Sequence, residues 1–180
     1  METYNFWQER ALDSDPTAVT HRDKHQRQLE IDAIVPYIES SDNVLDVGCG
    51  NGFGTYEFAK HCKSIHGTDF SDNMIDRAGR EYPSDNITYS VSDIRNMTDI
   101  NKYSKAISVR CLINILNKNE QEKAIYNIYN SLIPGGMYLM LEGIADGRRK
   151  LNEMRRAVGL SNMPDVVHNL DFEINDFKDI

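Results

Sequence analysis

Residues 44–54 read Val-Leu-Asp-Val-Gly-Cys-Gly-Asn-Gly-Phe-Gly, with an acid at Asp46 and glycines at 48, 50, 52 and 54. Glycine tolerates positive φ and lets a backbone come close to a ligand. An apolar strand running into such a loop therefore marks a binding site. The spacing separates ligand classes. A dinucleotide fingerprint, Gly-x-Gly-x-x-Gly, needs glycine at 53, and that position is Phe53. Asp46, two residues before the first glycine, repels a pyrophosphate and suits a cationic or hydroxyl-bearing ligand. Asp69 follows 23 residues after Asp46, close to the roughly 20 residues expected of an acid that accepts hydrogen bonds from a ribose. Asp93 is a third acid. Taken singly, Asp69 and Asp93 also read as helix caps; with the glycine loop they read together as a site.

These residues need elements to carry them. A helix is expected over about 27–39, because Ile31, Ile34, Val35 and Ile38 fall on one stripe, with Pro36 kinking or ending it. Strands are expected at Asn43–Val47, Ser64–Thr68, Ile87–Val91, Ala106–Cys111 and Met137–Leu141. Helices are expected at Phe53–Cys62, at about 72–81 behind an N-cap at Ser71, and at Glu120–Leu132, where Pro134-Gly135-Gly136 stops the run. Alternation of strands and helices, with several near-continuous apolar strands, predicts a mainly parallel α/β sheet covered on both faces. In such sheets ligands bind beyond the carboxyl ends of the strands. The polar residues at those ends are the glycine loop, Asp69, Asp93, Arg110 and Glu142. Residues 1–26 are polar, with Tyr4, Phe6 and Trp7 and a charged patch at His21-Arg22-Asp23-Lys24-His25. The three aromatics read either as a lid over the site or as packing on the sheet.

The 180 residues make one domain the expectation. A net charge of −8 argues against a nucleic-acid surface. No run is long and apolar enough to span a membrane, and the first residues lack a signal-peptide pattern. Cys49, Cys62 and Cys111 are too scattered for a disulfide framework or a zinc site; free thiols fit a cytoplasmic location. Cys49 reads as a small packing residue or as a nucleophile, the second without a neighbouring base. The acids sit on different strand ends, so no metal is expected.

The Asp46–Gly54 loop, Asp69-Phe70-Ser71-x-x-Met74 and the turn and strand Leu132–Gly143 together resemble the class I S-adenosylmethionine (SAM) methyltransferases over about residues 40–145. The resemblance implies a Rossmann-like, doubly wound fold with SAM as cofactor and S-adenosylhomocysteine as product. It implies a cofactor set of Asp46, Gly48, Cys49, Gly50, Asn51, Gly52, Asp69, Phe70, Met74, Asp93, Ile94 and Arg110. Within it, Asp69 holds the ribose hydroxyls and Met74 lies near the adenine. Asp93 accepts from the adenine amino group, and the Ile94 amide meets the ring. The implied acceptor is a small molecule, most simply a hydroxyl of a sugar or related metabolite, which a general base would help. Candidate bases are His168, Glu142, His21 and His25; His168 reads also, and somewhat better, as a structural histidine, and His21 and His25 read better as part of a solvated charged face. Arg110 binds an anionic acceptor or pairs with Glu142. The run Arg110–Asn114 and the segment from Leu151 to Asp171 resemble a subgroup associated with surface-polysaccharide and natural-product clusters.

The expected division is an N-terminal lid and helix (1–39), a cofactor-binding core (40–145) and an acceptor-side segment (146–180). The family's sheet has seven strands. Five are evident here, with at most one more short strand around Leu170–Ile174. The expectation is therefore a truncated C-terminus whose open edge invites pairing with another copy of the chain. The alternative to an enzyme is a non-catalytic SAM-binding module or partner subunit.

Overall fold

The computed structural model describes residues 2–15, 19–20 and 23–177. Five strands form one sheet: β1 (Asn43–Val47), β2 (Ser64–Asp69), β3 (Ile87–Val91), β4 (Tyr103–Val109) and β5 (Leu132–Leu141). Their order is β3-β2-β1-β4-β5, and every neighbouring pair is parallel. The order reverses between β1 and β4, which is where an open α/β sheet leaves a crevice at its carboxyl edge.

The helices are α1 (Glu2–Arg10), α2 (Lys24–Ile34), α3 (Phe53–Ala59), α4 (Asp72–Glu81), α5 (Lys118–Ser131) and α6 (Ala145–Ala157). Strand residues alternate between faces, and β1 divides its side chains accordingly. Val44 packs with Ile31, Ile34, Phe58 and Ile65 beneath α2 and α3. Leu45 and Val47 pack with Ala124 and Ile128 of α5. Both faces are thus buried, as the apolar strands require, and each such aliphatic side chain contributes on the order of 2 kcal/mol.

The ends of the elements follow local chemistry. Helix α2 stops at Ile34, and Pro36 lies in the 3-10 turn that follows (Val35–Tyr37). Ser71 caps α4 by accepting from the Met74 amide at 3.2 Å. Asn117 caps α5 through the Glu120 amide, also at 3.2 Å. Strand β4 runs earlier than the pattern predicts, from Tyr103, and ends at Val109 because Arg110 turns into the left-handed region, φ 51°. Strand β5 starts at Leu132 rather than Met137. Leu132 pairs with Tyr103 and Met137 with Lys105, so Pro134-Gly135-Gly136 bulges between two ladder positions.

Two helices lie outside the sequence expectation. Helix α1 is polar, and α6 buries no residue. The short strand expected near residues 170–174 is a single bridge, Ile144 to Phe172. Beyond β5, no further strand pairs with the sheet among the described residues.

Candidate functional site

Gly48, Gly50 and Gly52 all have positive φ, at 67°, 55° and 82°. The sequence assigns these glycines to close approach by a ligand. The structure adds that the protein itself fills the space a side chain would take. A Cβ on Gly48 would lie 2.2 Å from the Cys111 sulfur, and one on Gly50 would lie 2.6 Å from Thr20 Cγ2. A Cβ on Gly52 would lie 2.8 Å from Ala78. The loop is clamped between the end of β4, the N-terminal segment and α4.

Asp46 is buried beneath the loop and accepts from Thr55 Oγ1 of α3 at 2.6 Å. Burial pushes its carboxyl up to about 6. Asp69 braces the loop from β2. Its Oδ2 accepts from the Gly50 amide (3.0 Å) and its Oδ1 from the Ser71 amide (2.9 Å). Burial raises it too, to about 6. The Phe70 amide also acts on it; a carboxylate offers about four acceptor positions, so capacity remains for a hydroxyl donor. Asp93 is engaged differently. Arg95 forks onto it, with Nη2 2.5 Å from Oδ2 and Nε 2.9 Å from Oδ1. Burial would raise the Asp93 carboxyl, but the Arg95 bonds outweigh it and hold it low.

Two adjoining cavities open at this edge. The larger, about 720 Å³, is bordered by Asp69, Phe70, Asp93, Ile94 and Tyr4. The smaller, about 270 Å³, is bordered by Trp7, Gly50, Arg110, His168 and Asn169. Gly48, Asp69, Phe70, Cys111 and Asn114 border both. Asp46, Cys49 and Asn51 line only a void of about 80 Å³ behind the loop. Gly52 and Met74 border none of these spaces. Met74 is 1% exposed and packs with Ala11, Val19 and Trp7, so it supports α1 rather than facing the larger cavity. The Cys49 thiol is buried and pushed well above its ordinary value, as a packing residue's would be.

Glu142 has a task the sequence did not foresee. Its Oε1 accepts from Ser108 Oγ (2.9 Å) and from the amides of Cys111 (3.1 Å) and Leu112 (3.0 Å), and its Oε2 from the Ile113 amide (3.3 Å). It borders neither cavity. Of the two readings of Arg110, the pairing with Glu142 is not made: Arg110 pairs with Glu30 of α2, Nε to Oε1 3.1 Å. With four donors already on its carboxylate, Glu142 shapes the turn that follows β4. His25 is exposed and borders neither cavity. His21 lies outside the described residues.

His168 reaches the smaller cavity because the tail is pinned. The Leu170 amide donates to the Ile113 carbonyl (2.6 Å), Gln121 Nε2 donates to the Leu170 carbonyl (2.9 Å), and Phe172 is buried. The His168 ring stacks on Phe6 at 4.2 Å and meets Trp7 edge-on at 5.9 Å. Burial lowers its pKa, so it is neutral at pH 7.

Two residues escaped sequence reasoning. Asn114 accepts from Trp7 Nε1 (3.1 Å) and donates to the Arg110 carbonyl (2.8 Å), tying α1 to the end of β4. Gln8 accepts from Ser71 Oγ (2.7 Å) and the Asn73 amide (3.2 Å), tying α1 to α4. Asn114 entered the sequence reading only as the end of the Arg110–Asn114 run, with no role of its own, and Gln8 carries no signal; only the fold brings them to the crevice. Among the described residues no group of three or more His, Cys, Asp or Glu could hold a metal. No helix there is long and apolar enough to cross a membrane.

Residues 44–136, more than half of the chain, match the family described as "Methyltransferase domain". The chain belongs to this family. The match runs from β1 into the bulge of β5, so it contains the glycine loop, Asp69, Asp93 and Arg110. The carboxy-S-adenosyl-L-methionine synthase of Nautilia profundicola is 28% identical over 143 residues, covering 73% of this chain and 57% of that protein. The chain spans about half the length of the curated relatives it matches. Among solved structures, the N-methyltransferase NodS of Bradyrhizobium japonicum WM9, in complex with S-adenosyl-L-homocysteine, superimposes with a TM-score of 0.64. It is 23% identical, and 77% of this chain and 72% of that one are covered. The [4+2]-cyclase SpnF superimposes at 0.60 with 24% identity, over 68% of this chain and 48% of that one. These two share the fold of the methyltransferase domain.

Proposed function

We propose that this methyltransferase domain binds S-adenosylmethionine in the larger cavity and transfers its methyl group to a small-molecule acceptor, at a hydroxyl of a sugar or related metabolite. The observation that carries the proposal is Asp69. It sits at the end of β2, holds the Gly50 amide of the loop and the Ser71 amide at the start of α4, and borders the larger cavity, where its remaining acceptor capacity suits a vicinal diol. The residues present fit the cofactor: the ribose on Asp69, the adenine toward Ile94, the amino-acid end over Gly48. SAM supplies a methyl group already activated on a sulfonium. The chain's part is therefore to bind, orient and exclude water, and proximity accounts for much of the rate. Neutral His168, at the smaller cavity, is placed to accept the acceptor's proton. Helix α1 forms the roof, with Tyr4 over one cavity and Trp7 over the other.

Calorimetric titration tests the reading. S-adenosylhomocysteine should bind with one-to-one stoichiometry and NAD should not; no response to either overturns it. The second reading is a non-catalytic cofactor-binding module. It is favoured by the engagement of Glu142, which removes one candidate base from the crevice, and by the appearance of the fold in a named cyclase. Production of S-adenosylhomocysteine on adding hydroxylated acceptors separates the two.

A further inference from the structure

Arg110 is the most conspicuous charged group at the smaller cavity. It is one of two described non-glycine residues with positive φ, at 51°. That conformation costs an L-residue about 1 kcal/mol or more. It is imposed from both sides: the Arg110 amide donates to the Leu141 carbonyl (2.8 Å), and its carbonyl accepts from Asn114 Nδ2 (2.8 Å). Asparagine or glycine would adopt it more easily, and those two backbone bonds would be kept by either, so they do not account for an arginine here.

That side chain is short of partners. A guanidinium carries five N–H donors, and the Arg110 group makes no hydrogen bond among the described residues. Its Nε is sealed from solvent and lies 3.1 Å from Glu30 Oε1, too oblique for a hydrogen bond. Glu30 is also shared. Its charge acts on both Arg110 and Arg27, and Gln26 Nε2 donates to it at 3.1 Å. Arg27 draws on Asp15 and Thr20 as well as on Glu30 and stays behind the glycine loop, whereas Arg110, its guanidinium hydrogen-bonded to none of the described residues, also borders the smaller cavity. The nearby Glu142 charge is already used by four donors, and Asp69 holds the amides of Gly50 and Ser71. The rest of the wall includes apolar Trp7, Ile113 and Val166. Such a wall thins the water around the guanidinium and strengthens its pull on an anion.

We propose that the methyl acceptor carries a carboxylate or phosphate group and that Arg110 binds it, fork to oxyanion, in the smaller cavity. Arginine suits two-point recognition of such groups. This inference rests on the reading that the larger cavity holds the cofactor. The same oxyanion chemistry is available from the amino-acid end of the cofactor itself, and the test separates these sources.

Inorganic phosphate is titrated into the full chain saturated with S-adenosylhomocysteine, using the unaltered protein, Arg110→Asn and Arg110→Lys. Asparagine tolerates the left-handed backbone, and retained S-adenosylhomocysteine affinity reports that each variant is folded. Phosphate should bind the saturated protein, at least about tenfold more weakly in Arg110→Asn and with partial recovery in Arg110→Lys. Equal phosphate affinity in the unaltered protein and Arg110→Asn overturns the inference. So does a tenfold loss of S-adenosylhomocysteine affinity in Arg110→Asn with 5′-methylthioadenosine, which lacks the carboxylate, unaffected: Arg110 would then hold the cofactor. If S-adenosylhomocysteine fails to bind the unaltered chain, the function proposed above falls and takes this inference with it.

Discussion

Single residues in this crevice carry loads that can be separated by substitution. Gly50→Ala places a Cβ at φ 55° and 2.6 Å from Thr20 Cγ2. It should lower stability by about 1–3 kcal/mol in chemical denaturation. Thr20→Ser removes the methyl but keeps the hydroxyl that Arg27 Nη2 reaches at 3.2 Å. The double variant should recover the steric part and keep the backbone part. For Asp69 the readout is pH. Burial raises its carboxyl to about 6, and only the ionised form keeps its full capacity for hydroxyl donors while holding its amides. S-adenosylhomocysteine affinity should therefore climb as pH rises through about 6 and level off by pH 7. Asp69→Asn should flatten that profile and weaken binding about ten- to hundredfold. An unchanged profile in Asp69→Asn would remove Asp69 from the ribose site.

At the scale of elements, Glu142 and α1 hold the crevice in shape. Glu142→Ala strips acceptors from Ser108 Oγ and three amides of the turn after β4. It should cost on the order of 3 kcal/mol; Glu142→Gln, which keeps one acceptor oxygen, should cost less. Native stability in both, with a displaced pH–rate profile, would instead make Glu142 the general base. Helix α1 has only nine residues, too few to persist alone in water. Its polar hold on α4 runs through Gln8 to Ser71, Asp72 and Asn73, with a longer bond from the Tyr4 hydroxyl to Asp72 (3.4 Å) beside it. Gln8→Ala should speed proteolytic cleavage within the first 20 residues and weaken S-adenosylhomocysteine binding, while the melting temperature of the sheet moves little. The division between these elements was half legible. Helix α4 and strands β1 and β3 follow the sequence pattern residue for residue, since caps and apolar runs are local. Helices α1 and α6 went unread: α1 is polar, and the apolar side chains of α6 (Leu151, Met154) stay exposed instead of marking a core.

For the whole molecule, the two buried acids set the sign of the pH dependence. Asp46 and Asp69 are both raised to about 6 from 3.8. The folded state then binds more protons than the unfolded state between those values. Their contribution is most favourable below about pH 4 and is lost as pH rises toward 6, on the order of 2–3 kcal/mol for each. His66 acts in the opposite sense: burial lowers its pKa, so its contribution grows as pH rises toward 6.5. Denaturation midpoints across pH 4–8 should show the acids' fall. Asp46→Asn should reduce the slope by about half; an unchanged slope would mean that Asp46 is not the ionising group.

What the sequence determined by itself was the ladder of strands, the glycine loop and the acid at the end of β2. Each is written in neighbouring residues: an apolar run, a run of glycines where φ must be positive, a cap. What only the tertiary structure decided was who stands opposite whom. Met74 turned from the expected adenine wall into support for α1, and Glu142 turned from candidate base into an anchor of the β4 turn. Arg110 found Glu30, not Glu142. Asp93 is held by Arg95, and Cys111 and Thr20 fill the space that makes Gly48 and Gly50 necessary. Each of these assignments except Asp93's depends on residues far apart along the chain meeting at one edge of the sheet. Parallel strand order and the path of α1 bring them there, and neither is recorded in local spacing.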